Sequence, residues 1–101
     1  MLYEKGKTVY YIQTYGINGC TYDGKVSKAK VVKKHKGTYQ FLLYHLDNGE
    51  EHYEYELYST EKEARKALLN VLKDQLTEAT KTFNFFRDTV IKNIIKIAEE
   101  D

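Results

Sequence analysis

Every tyrosine and every glycine of this 101-residue chain lies before residue 59, and no tyrosine, glycine or proline follows. Tyrosine suits a half-buried pleated surface and glycine suits tight turns, whereas a stretch rich in Ala, Leu, Lys and Glu suits a helix. The partition therefore predicts an α+β domain, with a β half over residues 1–58 and an α half over 59–101. At 11.9 kDa the chain is long enough for one core and too short for two.

Four segments of the β half alternate or run apolar between turn signals: Thr8–Tyr15, Lys25–Lys34, Tyr39–Leu46 and Glu51–Tyr58. The intervening signals are a long loop over Gly16–Gly24, Lys36-Gly37, and Asp47-Asn48-Gly49-Glu50. Asn48-Gly49 fits a two-residue type I′ hairpin, which needs positive φ at both central positions. That register sets Leu46 opposite Glu51, His45 opposite His52 and Tyr44 opposite Tyr53. One face of the hairpin then carries Leu42, Tyr44, Leu46, Tyr53, Tyr55 and Leu57, of which Leu42, Tyr44, Tyr53 and Tyr55 are expected as a core layer, and the other carries Phe41, Leu43, His45, His52, Glu54 and Glu56. The third strand is expected to be central and the fourth an edge. Four short strands of this kind form either an antiparallel meander or a small SH3-like open barrel.

The α half opens at Thr60 and Glu63, which have capping-box spacing. From Leu68 an apolar stripe runs through Leu72, Leu76, Ala79, Phe83, Phe86, Val90, Ile94 and Ile97, a mean step of about 3.6 residues that matches one amphipathic helix. One continuous helix over 60–100 would be about 60 Å long, so it must project or fold back. With no Gly or Pro to stop it, a single long helix is favoured, bent if anywhere near Thr77–Asn84. If it continues, Phe83, Phe86, Val90, Ile94 and Ile97 need a partner, and a second copy in a homodimer is the simplest.

Composition narrows the function classes. Apolar residues make up 42% and charged residues 31% of the chain, as in a globular protein. The single Cys20 rules out an internal disulfide and a multi-thiolate zinc site. The apolar runs Val9–Ile12 and Phe41–Tyr44 are too short to span a membrane, and Met1–Gln13 lacks a signal-peptide core, so a cytoplasmic location is expected. No catalytic triad, HExxH or phosphate-binding glycine motif can be assembled. An enzyme is the least expected class, and neither a cofactor nor a metal is expected. His45 and His52 could meet across the hairpin, but two ligands there make a poor metal site.

The formal charge of +1 conceals segregation, with +6 over residues 1–46 and −5 over residues 47–58. Lys25, Lys28, Lys30, Lys33 and Lys34 cluster on the second strand, where lysines interleaved with aromatics can hold phosphate backbones or simply guard a sheet edge. Tyrosine offers large, rigid area for protein contacts, so an exposed remainder of the tyrosines with the acidic hairpin is the expected protein-binding surface: Tyr15, Tyr22, Glu50, Glu51, Glu54 and Tyr58.

The Gly6–Tyr10 opening, the Gly24-Lys25-Val26 start of the second strand and the run Leu57–Ala64 resemble, at pattern level, small accessory proteins of phages and mobile elements of low-GC Gram-positive bacteria. The resemblance implies a non-enzymatic protein that binds and blocks a protein partner, as anti-CRISPR and other anti-defence inhibitors do, or that sequesters a ligand. Three functions are thus carried forward: a protein-binding inhibitor first, then a nucleic-acid-binding small barrel using Lys25–Lys36, then a sponge for a small nucleotide signal.

Overall fold

The computed structural model describes residues 2–17, 20–79 and 84–100, excluding the side chains of 17, 20, 39, 77–79 and 84–86. Four antiparallel strands, β1 (Thr8–Ile17), β2 (Cys20–Lys36), β3 (Leu42–Leu46) and β4 (Glu51–Tyr53), lie in the order β1-β2-β3-β4 and form a half-barrel sheet. Two helices follow, α1 (Glu61–Ala79) and α2 (Asn84–Glu99). As expected, β3 is internal and β4 an edge.

β2 serves both halves of the sheet because a bulge between Val31 and Lys33 bends it from its pairing with β1 into its pairing with β3. A 3-10 turn over Glu54–Glu56 follows β4 and brings Tyr58 back to β1. There the Tyr10 N–H donates to the Tyr58 carbonyl at 2.9 Å, and the Tyr58 N–H to the Tyr10 carbonyl at 2.8 Å. This bridge draws the sheet around a core of Tyr3, Val9, Tyr11, Ala29, Val31, Tyr44, Leu46 and Leu57. The Tyr44 hydroxyl accepts the Tyr3 N–H, and the Tyr3 hydroxyl donates to the Leu57 carbonyl, so these two buried phenols are satisfied.

The expected loop over Gly16–Gly24 is instead the tip of a long hairpin. Thr14 pairs with Gly24, Tyr15 with Asp23 and Ile17 with Cys20. Gly24 serves close approach rather than a turn. A Cβ there would lie 2.5 Å from Leu68 Cδ1 and 2.8 Å from the Gln13 carbonyl oxygen, so its lack of a side chain lets α1 settle on the sheet.

The Thr60 hydroxyl accepts the Glu63 N–H at 3.1 Å, starting α1 where the capping box predicts. The apolar stripe is divided between two helices, with the junction residues 80–83 outside those described. Leu68, Leu72, Val90 and Ile97 share one buried cluster, joined by Ile12, Tyr22 and Val26 from the outer side of the β1–β2 hairpin. The chain therefore folds back. The single long helix is corrected to an antiparallel pair, and Val90 and Ile97, expected at a dimer interface, are buried within their own chain. Ile94 packs against the same cluster. Phe83 and the Phe86 side chain lie outside the described residues. No helix among the described residues is long and apolar enough to cross a membrane.

Candidate functional site

The β3–β4 hairpin pairs one residue out of the expected register. His45 faces Glu51, Tyr44 faces His52 and Leu43 faces Tyr53. The connection is a three-residue loop: the Gly49 N–H donates to the Leu46 carbonyl at 3.0 Å and the Leu46 N–H to the Glu50 carbonyl at 2.9 Å, with Gly49 at φ 87°. Asn48 has no positive φ, so a type I′ turn is not formed. A side-chain network holds this loop instead. Asn48 Oδ1 accepts the Glu50 N–H at 3.0 Å, and Asn48 Nδ2 donates to the Tyr11 hydroxyl at 2.7 Å. The Tyr11 hydroxyl donates in turn to Glu50 Oε2 at 2.6 Å.

That network perturbs both acids. The Tyr11 hydrogen bond holds the Glu50 carboxyl below the ordinary carboxylate range. Burial, reinforced by the hydrogen bond to the Glu50 carboxylate, pushes the Tyr11 phenol up.

A one-residue slip exchanges the two faces of a strand. His52 consequently turns inward, its ring 4.3 Å from that of Tyr11 and its Nε2 3.2 Å from Glu50 Oε1. Tyr53 and Tyr55, expected in the core, lie on the outer side, Tyr53 through this slip and Tyr55 because the strand expected over Glu51–Tyr58 ends at Tyr53 and passes into the 3-10 turn. Tyr55 is stacked parallel to Tyr53 with centroids 5.5 Å apart, and Phe41 meets Tyr55 edge-on at 5.5 Å. Phe41 is 46% and Tyr55 64% exposed. The patch has a rigid base. Tyr53 packs so closely on Gly37 that a Cβ there would lie 2.7 Å from its Cε1. The Tyr53 N–H is held by Glu56 Oε1 at 2.9 Å, and the Gly37 N–H donates to the Phe41 carbonyl at 2.7 Å. Between them Gln40 adopts φ 67°, a left-handed conformation that costs a non-glycine residue about 1–2 kcal/mol.

Rows across the sheet extend this surface. Lys33, His45 and Glu51 form one row, and His35, Leu43 and Tyr53 the next. His45 does not meet His52. Its Nε2 lies 3.0 Å from His35 Nδ1, and its Nδ1 lies 3.2 Å from Glu51 Oε1. Among the described residues no group of three or more His, Cys, Asp or Glu side chains is arranged to hold a metal ion.

The expected lysine cluster divides between the two faces of β2. Lys28 and Lys30 alternate with the buried Ala29 and Val31 and so face outward, as does Lys33 opposite His45. Lys34 lies opposite the buried Tyr44, where its Nζ donates to the Tyr3 carbonyl at 3.2 Å and stands 3.6 Å from Glu4. Lys25 is exposed on the same side of β2 as Ser27.

The expected protein-binding residues are likewise scattered. Tyr15 is exposed at the rim of a cleft beside α1 and α2. Tyr22 is a correction, since it packs in the helix–sheet cluster while its carbonyl accepts from Asn93 Nδ2 at 2.7 Å. Glu50 is engaged by Tyr11, Glu51 by His45, Glu54 is half-buried in the 3-10 turn, and Tyr58 closes onto β1. Phe41, Tyr53 and Tyr55 were missed as a surface because the two-residue turn placed both tyrosines inside.

The cleft beside the helices has a volume of about 290 Å³ and includes Asp23, Lys25, Glu61, Arg65, Lys96 and Glu100 in its lining. Lys96 stands 3.7 Å from Asp23, and Arg65 Nη2 is 3.0 Å from Glu61 Oε1. Lys25, Arg65 and Lys96 are matched in number by Asp23, Glu61 and Glu100, a balance that does not favour a phosphorylated ligand. No family model, curated protein or solved structure matches the chain.

Proposed function

We propose that this chain is a non-enzymatic binding module that occupies the surface of a protein partner through the outer face of β2–β4. The observation that carries the reading is the outward turn of Tyr53 and Tyr55 beside Phe41, a fixed apolar patch of three rings. Clustered exposed aromatics on a rigid base lose little entropy on binding and are characteristic of protein interfaces. Lys33 and Glu51 stand at the two ends of the row through His45 on this face, so the partner is expected to combine apolar anchors with flanks of both charges. A blocking role of the kind the accessory-protein resemblance implies would be exerted through this face.

The same combination of rings and lysines could serve a single-stranded nucleic acid, but the ring spacing favours protein. A base inserted between two rings needs roughly 7 Å, twice the ~3.5 Å carbon contact distance. Tyr53 and Tyr55 are 5.5 Å apart and already stacked on one another. They form one continuous surface rather than separate platforms.

The test compares the chain with a Phe41→Ser/Tyr55→Ser variant in affinity capture from the lysate of its source cells, alongside gel shifts with single-stranded oligonucleotides over a salt series. The proposal expects a stoichiometric protein retained by the parent chain and by a Val71→Ser control but lost with the patch variant. Retention by the patch variant contradicts it, as does a salt-sensitive oligonucleotide complex in place of any protein.

A further inference from the structure

The edges of the sheet are not protected alike. β4 is three residues long and carries Glu51. The β2 edge at Thr21 and Tyr22 is covered by the helices, where the Thr21 N–H donates to Gln75 Oε1 at 3.2 Å and Asn93 Nδ2 to the Tyr22 carbonyl at 2.7 Å. β1 has neither protection. Its ten residues include no charge and no proline, and Thr14, Tyr15 and Gly16 are exposed. Backbone groups alternate across a strand, and those of Tyr10 are taken by Tyr58 on the side away from β2. Ile12, Thr14 and Gly16 therefore present their N–H and C=O groups to that same side, where they meet no backbone partner among the described residues. α1 leaves them open because it lies over β2, with Leu68 against Gly24.

We infer that this open edge pairs with β1 of a second copy of the chain, antiparallel and about a twofold axis at Thr14. The length of the edge points to both the occupant and the register. Tyr58 occupies the edge at Tyr10 and β1 ends at Ile17, so the free run is Tyr11–Ile17, and its midpoint is Thr14. Two such runs laid antiparallel match end to end, setting Thr14 opposite Thr14, Gln13 opposite Tyr15 and Ile12 opposite Gly16. Each Thr14 N–H then donates to the Thr14 carbonyl of the other copy, and Ile12 and Gly16 exchange the same pair of bonds on either side. No charge faces a like charge, and threonine opposite threonine stabilises neighbouring strands. An edge that stays single is guarded by lysine, proline or a covering element, and the free run of β1 has none of these. The aromatic patch on β3–β4 takes no part in the pairing, so the dimer presents it twice.

Sedimentation of the full chain over a concentration series tests the pairing. The mass should rise from 11.9 kDa towards twice that value and go no further, because each copy has one such edge. Thr14 is exposed, so Thr14→Lys and Thr14→Glu should each keep the fold by circular dichroism. Each should weaken self-association about tenfold or more by setting like charges face to face. Mixing the two variants in equal amounts should restore the dimer, as pairing of position 14 with itself requires. In the unmodified chain, amide exchange at Ile12 and Thr14 should slow as concentration rises, a readout that needs no variant. A mass that stays at 11.9 kDa at the concentrations used for NMR, an association that neither charge variant weakens, or assembly beyond the dimer would overturn the assignment.

Discussion

The Tyr11 hydroxyl lies 2.6 Å from Glu50 Oε2 and binds, from the middle of β1, the last residue of the turn between β3 and β4. One phenol thereby ties a distant strand to the loop that sets the hairpin register. Tyr11→Phe keeps the ring against His52 but removes the bonds to Glu50 and Asn48. A charged partner makes such a bond worth about 1.5–3 kcal/mol. Urea denaturation should show a loss of that size with an unchanged m-value.

The same pair sets a pH dependence. Glu50 has a folded-state pKa below its unfolded value, so its stabilisation is present above the ordinary glutamate value of about 4.3 and disappears as pH falls through the lower folded value. Tyr11 has a raised pKa, so its contribution is complete below about 10 and is lost as pH rises towards the folded value. Melting temperature measured across pH should fall at both ends. In Tyr11→Phe the alkaline fall should shrink.

Gly24 gives a steric prediction. In Gly24→Ala the new methyl meets Leu68 Cδ1 and the Gln13 carbonyl oxygen, and overpacking of this kind costs about 1–3 kcal/mol. Adding Leu68→Ala should cost less in the Gly24→Ala background than in the parent chain. That coupling, read from a double-mutant cycle in denaturant, identifies the contact.

The fold-back of α2 predicts a contrast between near neighbours. Ile97→Ala should destabilise by about 2–4 kcal/mol because the side chain is buried against α1 and the sheet. Ile95→Ala, at a side chain 51% exposed, should change stability by less than about 0.5 kcal/mol. Thermal melts of the two variants distinguish a packed helix pair from a projecting helix, in which neither would matter much.

These contacts also explain which parts of the molecule are legible in the sequence. The β-to-α boundary at Tyr58 and the Thr60 cap are local signals, carried by composition and by a three-residue spacing, and the structure keeps both. Asn48-Gly49 marks the hairpin correctly but admits two loop lengths. The choice between them is made by Tyr11, 37 residues away along the chain from Asn48, which no local pattern contains. Gly24 carries the same symbol as a turn glycine although Leu68 is its reason for being there. The return of α2 is hidden for a related cause: no Gly or Pro separates the helices, and the stripe through Leu72 and Val90 has one period whether the helix continues or doubles back. The aromatic surface inherits the register, so it became visible only with the loop.

The binding face exists only in the observed hairpin register, which NMR of the backbone reads out. Nuclear Overhauser contacts between backbone protons of β3 and β4 should link Tyr44 with His52 and His45 with Glu51. Tyr53 should show contacts to Leu43 and Gly37 and none to the barrel core. Contacts linking Tyr44 with Tyr53 and Leu46 with Glu51 would contradict this reading, because that register returns Tyr53 to the interior and takes away the ring on which Tyr55 stacks.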